Sequence, residues 1–241
     1  MKRYRSPEEL PEEYRRMLVD LLTRQFVREI ENAAVFGRAI QYAPTWQEKA
    51  RLAEIAYEEA GHCRLVAPVL ERLGVDLAEA EKRWHLTEAF LGTPDEVTDW
   101  VEMVVYCCLI DRAGRIHVEA LGGSSYLPYA ATSEKIIREE QGHEAYGEKE
   151  IVELCADPAV KARVEQLLRK WLPRSIKLLG RPGSPQNQYC LRVGLKNRDS
   201  GDEIAEYAQY VKGIADRCGI RFPTRQELEA EGVELPAGLR W

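Results

Sequence analysis

A Glu-x-x-His pair occurs twice in this chain, as Glu59 and His62 within EEAGH (58–62) and as Glu140 and His143 within EEQGH (139–143). Each lies in a long stretch whose apolar residues recur with helical period, so the glutamate and the histidine three residues on share one helix face. One carboxylate oxygen and one imidazole nitrogen can then meet a single cation. Counting alone carries little weight: with Glu roughly one residue in eight and four histidines, such a coincidence has odds on the order of 10%. The constraint is architectural. Two half-sites on separate helices become one site only if those helices run side by side.

The rest of the chain reads the same way, and no segment alternates like a strand. Periodicity predicts a helix from Pro11 to about Tyr42, broken by Ala43-Pro44-Thr45, and a second from about Trp46 to Arg72, stopping at Gly74. Asp76 to Leu91 reads as a shorter helix and Gly92-Thr93-Pro94 as a loop. Three more helices are predicted: about Asp95 to Leu121, ended by Gly122-Gly123-Ser124-Ser125; Pro128 to about Cys155; and Asp157-Pro158 to near Gly180. RPGSPQNQ (181–188) reads as a loop, IAEYAQYVKGIA (204–215) as an amphipathic helix, and the tail from Phe222 as a surface wrap. The expected fold class is all-α: a four-helix bundle of two antiparallel hairpins, joined by a longer crossover and followed by a helical C-terminal extension. That is ferritin-like connectivity. At 241 residues, one domain over 1–241 is expected, with a core bundle at about 10–155 and C-terminal helices and tail at about 156–241.

A two-metal bundle site needs a further carboxylate from each of the other two long helices, at the same height. Glu31 lies thirteen residues before Pro44 and Glu59 fifteen after it. At ~1.5 Å rise per residue, both stand roughly 20 Å from the turn. In the second hairpin Asp111 lies twelve residues before Gly123, and Glu140 seventeen after it. The expected ligands are therefore Glu31, Glu59, His62, Asp111, Glu140 and His143, with the four carboxylates also as the catalytic groups. In the third long helix Glu102 sits too deep and Glu119 too near the turn. Glu31 precedes Asn-Ala-Ala-Val-Phe and Asp111 follows VVYCCLI, so both acids border apolar runs. Four buried carboxylates repel one another and are costly to desolvate unless cations join them. Two Fe(II) ions would leave a neutral core. A carboxylate-rich, histidine-poor set suits iron, or manganese, better than structural zinc. Glu58 and Glu139 read either as solvated or as acceptors of hydrogen bonds from the metal-bound imidazoles. Gly61 and Gly142 suggest close backbone approach beside the site. His85 and His117 have no acid three residues earlier and read as surface or packing residues.

Composition narrows the function classes. The net charge of −6 argues against a nucleic-acid partner. No apolar run approaches the ~20 residues of a membrane span, and MKRYRSPEEL is not signal-peptide-like. Six scattered cysteines with no CxxC point to reduced thiols in a cytoplasmic setting.

On these residues the chain resembles a known family. PEEYRRMLVDLLTRQFVREIEN, APTWQEKARLAEIAYEEAGHCRLVAPVLERLGVD, CLIDRAG and SSYLPYAATSEKIIREEQGHEAYG are similar to the catalytic-subunit family of phenylacetyl-CoA epoxidases, and KWLPRSIKLLGRPGS and GIADRCGIRFP extend the likeness to about residue 225. The resemblance implies a ferritin-like di-iron mono-oxygenase of aromatic degradation, with two Fe ions that activate O2. One oxygen atom is then inserted across a ring bond of an aryl-CoA substrate. The family's ligands fall on Glu31, Glu59, His62, Asp111, Glu140 and His143. The resemblance also implies a reductase with a flavin and an iron–sulfur centre, and a metal-free ferritin-like partner subunit, hence a homo- or hetero-oligomer. The chain departs from the family in being shorter and in having Ile55 where a lysine often stands. Arg192, Lys196 and Arg198 are the cations available by charge for a CoA phosphate, or a solvated loop. Two alternatives stand beside this reading. One is another ferritin-like di-metal protein: a ferroxidase, a peroxidase or a hydroxylase of a different substrate. The other is a non-catalytic structural subunit.

Overall fold

The computed structural model describes residues 2–87 and 94–239. Among them the chain is all-α, without a strand. Helix α1 (Glu12–Ala39) follows Pro11, with Glu12 and Glu13 in its first turn, where negative charge suits the helix dipole. A short 3-10 turn at Ile40–Tyr42 leads to α2 (Trp46–Arg72), where Thr45 accepts from the Glu48 N–H at 3.4 Å. Helix α3 (Leu77–Thr87) is the predicted shorter helix. Its expected continuation to Leu91 and the loop residues Gly92-Thr93 fall outside the described residues, as does the side chain of His85.

Helix α4 (Trp100–Gly122) starts later than the expected Asp95. A 3-10 turn occupies Pro94–Glu96, and Asp99 is the true cap, accepting from the Glu102 N–H at 2.8 Å. Helix α5 (Leu127–Leu154) returns beside α4, and α6 (Pro158–Leu178) follows. The segment read as a loop contains the start of α7 (Pro185–Val193): Ser184 accepts from the Asn187 N–H, and Pro185 fills the first turn. Ser-Pro is a start signal that a loop reading passes over. Helix α8 (Ser200–Cys218) and the short α9 (Arg225–Ala230), with a capping box of Thr224 and Glu227, complete the chain.

The hairpins α1–α2 and α4–α5 form the bundle, α2 packs beside α5, and α6 and α8 lie against α4. That covering explains the unbroken apolar run in α4, where every residue from Glu102 to Asp111 is buried. Gly147 of α5 permits the closest helix approach: a Cβ there would stand 2.7 Å from the Cys108 nitrogen. Near the N-terminus, Tyr4 is pinned to the α4–α5 turn, donating to Ser125 O at 2.8 Å and accepting from Leu127 N at 3.0 Å.

The buried apolar residues form two clusters. One contains Phe36, Leu52, Ile55 and most of α4; the other contains Phe26, Val66, Leu70 and Tyr129. Along α1, α2 and α5 the conspicuous buried acids, imidazoles and amides lie at the level where one cluster gives way to the other. The fold thus places a polar layer between two apolar ones.

Candidate metal centre

In that layer two groups of ligand-type atoms converge, each within 4.8 Å: Glu29, Glu59, His62 and Glu140 form one, and Glu59, Asp111 and His143 the other. All six side chains are buried. Both imidazoles turn Nδ1 inward. His62 Nδ1 lies 3.1 Å from Glu29 Oε2, 3.8 Å from Glu59 Oε2 and 3.6 Å from Glu140 Oε1. His143 Nδ1 lies 3.2 Å from Glu59 Oε1 and 3.9 Å from Glu140 Oε2. Glu59 and Glu140 therefore each turn one oxygen toward each imidazole, and Glu59 belongs to both groups. Glu29 serves the His62 half, and Asp111 the His143 half.

The first helix corrects the sequence expectation. Glu31 is buried, but the acid that reaches this cluster is Glu29. Two residues turn an α-helix by about 200°, so the two acids point to opposite sides. The inward face of α1 runs Leu22, Gln25, Glu29, Asn32 and Phe36, all buried at helical spacing. Glu29 and Glu59 are also each fifteen residues from Pro44, a better match in height than Glu31. In α4, the structure brings Asp111 to the cluster. Glu102 is engaged elsewhere by Lys170 and Trp171, and Glu119 by Arg115 and Arg198.

The doubled glutamates are used crosswise. His62 Nε2 pairs with Glu139 of α5 at 3.2 Å, and His143 Nε2 with Glu58 of α2 at 2.8 Å. Each acceptor holds the imidazole of the opposite hairpin with Nδ1 facing the cluster. Glu29 is itself supported, since Gln25 donates to its Oε1 at 3.1 Å and Tyr129 donates to Gln25 at 2.7 Å. Asn32 donates to Glu59 at 3.4 Å, and the Cys107 thiol donates to Asp111 at 3.3 Å. The expected close approach at Gly61 and Gly142 is absent. Only arginine tips lie near either, at 4.0 and 3.5 Å from a built Cβ.

The protonation pattern suits a cation site. Burial and then Glu59 push Asp111 up to about 8. Burial, Glu59 and Asp111 hold Glu140 well above the carboxylate range, and burial also raises Glu29. Burial opposes charge on His62, but Glu29 and Glu59 outweigh it and raise the imidazole to about 9. His143 is also raised to about 9, by Glu59 and Asp111 against burial. Asp111, Glu140, His62 and His143 thus all hold protons more readily than free groups do. Even so, Glu59 Oε1, Asp111 Oδ1, Glu140 Oε2 and His143 Nδ1 are buried without a hydrogen bond. Four such atoms in one place is a donor set aimed at something other than protein. Carboxylate-rich and His-poor, it fits oxygen-loving divalent or trivalent ions.

A cavity of about 40 Å³ adjoins the cluster, lined by Glu29, Asn32, Ile110, Asp111, His117 and Glu140. It has room for roughly two or three waters. His117, read from sequence as a packing or surface residue, lines this cavity and also a larger outer one of about 560 Å³, with Nδ1 3.6 Å from Glu203. Arg192, Lys196 and Arg198 do not form a cationic loop. Arg192 stacks on Tyr189, Lys196 is buried against Glu203, Asn187 and Ser200, and Arg198 pairs with Glu206 and Glu119. Ile55 is fully buried in the apolar layer containing Phe36.

Fold and site define the class: a ferritin-like helical bundle with a buried cluster of four carboxylates and two imidazoles able to bind metal. The chain belongs to the phenylacetic acid catabolic protein family, whose profile matches residues 1–234. It is similar to one of the subunits of 1,2-phenylacetyl-CoA epoxidase from Escherichia coli (strain K12), 27% identical over 204 residues. The match covers 82% of this chain and 65% of that relative, so the chain spans less than two thirds of the relative's length. Among the described residues, no helix is long and apolar enough to cross a membrane.

Proposed function

We propose that this chain is a di-iron mono-oxygenase component that uses O2 to oxygenate an aryl-CoA thioester such as phenylacetyl-CoA. The observation that carries the reading is the buried cluster itself, with Glu59 common to both of its halves and four of its ligand atoms without a hydrogen bond. Two iron ions would be held by Glu29, Glu59, His62, Asp111, Glu140 and His143, and would supply the redox chemistry of oxygen activation.

The residues of the chain do the rest. Glu58 and Glu139 fix which imidazole nitrogen faces inward. Burial and mutual repulsion favour protons on Asp111 and Glu140, so entering cations would displace protons there, and protons could return when charge at the centre falls. The apolar layers on either side keep bulk water out. The cavity beside Glu29 and Asp111 is where a small reactant reaches the centre.

Electrons would come from a reductase with a flavin and an iron–sulfur centre. The bacterial relative is named as one component of a larger enzyme, which accords with a second ferritin-like protein as partner. For this chain, a metal-free structural role is less well supported, since such a role needs none of the six ligands. The test supplies reductase, NADPH, O2 and aryl-CoA thioesters to iron-loaded protein and looks by mass for a product one oxygen heavier. Fe(II) oxidation with mineral formation and no such product would point to a ferroxidase instead.

A further inference from the structure

A line of polar and aromatic contacts leads from the candidate metal centre outward. Glu59 accepts from Asn32 Nδ2 at 3.4 Å, and Asn32 Oδ1 accepts from the Tyr106 hydroxyl at 2.6 Å. The Tyr106 ring meets the Trp171 indole edge-on, with centroids 5.0 Å apart. Trp171 Nε1–H donates to Glu102 at 3.1 Å, and Lys170 donates to the same oxygen at 2.7 Å. Asn32, Tyr106, Trp171 and Glu102 are all buried. Lys170 and Arg174 lie over the indole at 4.7 and 4.8 Å, and their side chains are about a third exposed. The line therefore ends one side chain below the surface.

The residue types matter. Tyrosine and tryptophan are the readily oxidised aromatic side chains; Phe36, between His143 and Tyr106 at 6.4 and 6.1 Å, is not. The Tyr106 hydroxyl faces an amide, which is a poor base, so an oxidising equivalent arriving there has reason to move on. Trp171 differs, because an oxidised indole has an acidic N–H, and the acceptor of that hydrogen bond is a carboxylate. Packing alone would not call for this order of partners.

We propose that Tyr106 and Trp171 form a one-electron escape path, by which an oxidising equivalent left at the metal centre without substrate is passed to the surface rather than spent on the ligands. The proposal rests on the oxygenase reading above. One electron moves from Trp171 through Tyr106 to the oxidised centre, which is reduced by one. The indole proton passes to Glu102. A solution thiolate then returns one electron across the Lys170–Arg174 layer and becomes a thiyl radical, while Glu102 gives the proton back to the indole nitrogen.

The first experiment uses metal-free protein, so it does not depend on turnover. Flash photo-oxidation of tyrosine and tryptophan, followed by transient absorption, should show tyrosine radical converting to tryptophan radical, the direction the path requires. Trp171→Phe and Tyr106→Phe should each lose the Trp171–Tyr106 component, and Glu102→Gln should slow indole deprotonation. Circular dichroism checks folding, and Tyr106→Phe, which removes only a hydroxyl, stands in if Trp171→Phe does not fold. The second experiment mixes iron-loaded protein with O2 without substrate and freezes it for EPR. The expected result is a radical altered by ring-deuterated tryptophan and lost in Trp171→Phe, with oxygen additions then appearing on the ligand-bearing peptides. Photochemistry identical in wild type and both Phe variants would overturn the path and leave the oxygenase reading standing. A loaded enzyme that forms product while showing the same radicals with and without Trp171 would overturn it too.

Discussion

Replacing Glu29 by glutamine, with Glu31→Gln as the paired control, separates the two helix faces. The Glu29 carboxylate lies 3.1 Å from His62 Nδ1 and converges with Glu59 and Glu140. Burial raises its carboxyl pKa, so removing the charge relieves part of a desolvation cost in the metal-free protein. The isosteric amide should therefore cost the metal-free fold little. The metal-bound state loses an anionic ligand. Residues that only support a ligand are worth about 10–100-fold in metal affinity, so a direct ligand should cost at least ~100-fold, or ~2.8 kcal/mol. For a chain of this size that is a metal-induced rise in Tm smaller by about 6–11 °C. Anaerobic Fe(II) titration and calorimetry with and without metal measure both quantities. Glu31→Gln should bind metal like wild type. Equal losses in the two variants, or a larger loss in Glu31→Gln, would refute the placement of Glu29.

Glu58→Gln and Glu139→Gln should each weaken metal binding by about 10–100-fold while leaving all six ligands in place, as read by competition with a chelator. Metal-free protein should lose stability as pH rises from about 6.5 to 9. His62 and His143 are raised from an ordinary 6.5 to about 9, so their contribution is full below the lower value and gone above the higher one. Asp111, raised from 3.8 to about 8, acts in the same direction because its neutral form is favoured in the fold; a Tm that climbs across this range would contradict the cluster's electrostatics. Gly147→Ala should destabilise by about 1–3 kcal/mol through the clash with the Cys108 backbone. Gly142→Ala, with only the Arg51 tip nearby, should instead gain up to ~1 kcal/mol of helix propensity; chemical denaturation distinguishes the two.

The fold was legible because its signals are local: helical period, breaks such as Ala43-Pro44-Thr45 and Gly122-Gly123, and starts such as Asp157-Pro158. What escaped depended on direction rather than spacing. Height along a hairpin could not separate Glu29 from Glu31, which differ by only ~3 Å of rise. The stripe Leu22–Gln25–Glu29–Asn32–Phe36 was present in the sequence and would have done so. Asp111 was easier, because its nearest acidic rivals are far away in height. The crosswise use of Glu58 and Glu139 was out of reach, since it depends on how α2 and α5 face each other. His117 carried no motif at all, and its place beside the cluster comes from the packing of α4 against α1 and α5. Lys196 and Arg198 looked like a solvated loop, because nothing local announces a buried partner such as Glu203.

The central claim is that two cations belong in the layer between the two apolar clusters. Elemental analysis of protein reconstituted anaerobically with Fe(II) and freed of loose metal tests it most directly. About two irons per chain are expected, falling sharply in Glu59→Gln, which touches both halves. Wild-type protein that retains no iron would contradict the account.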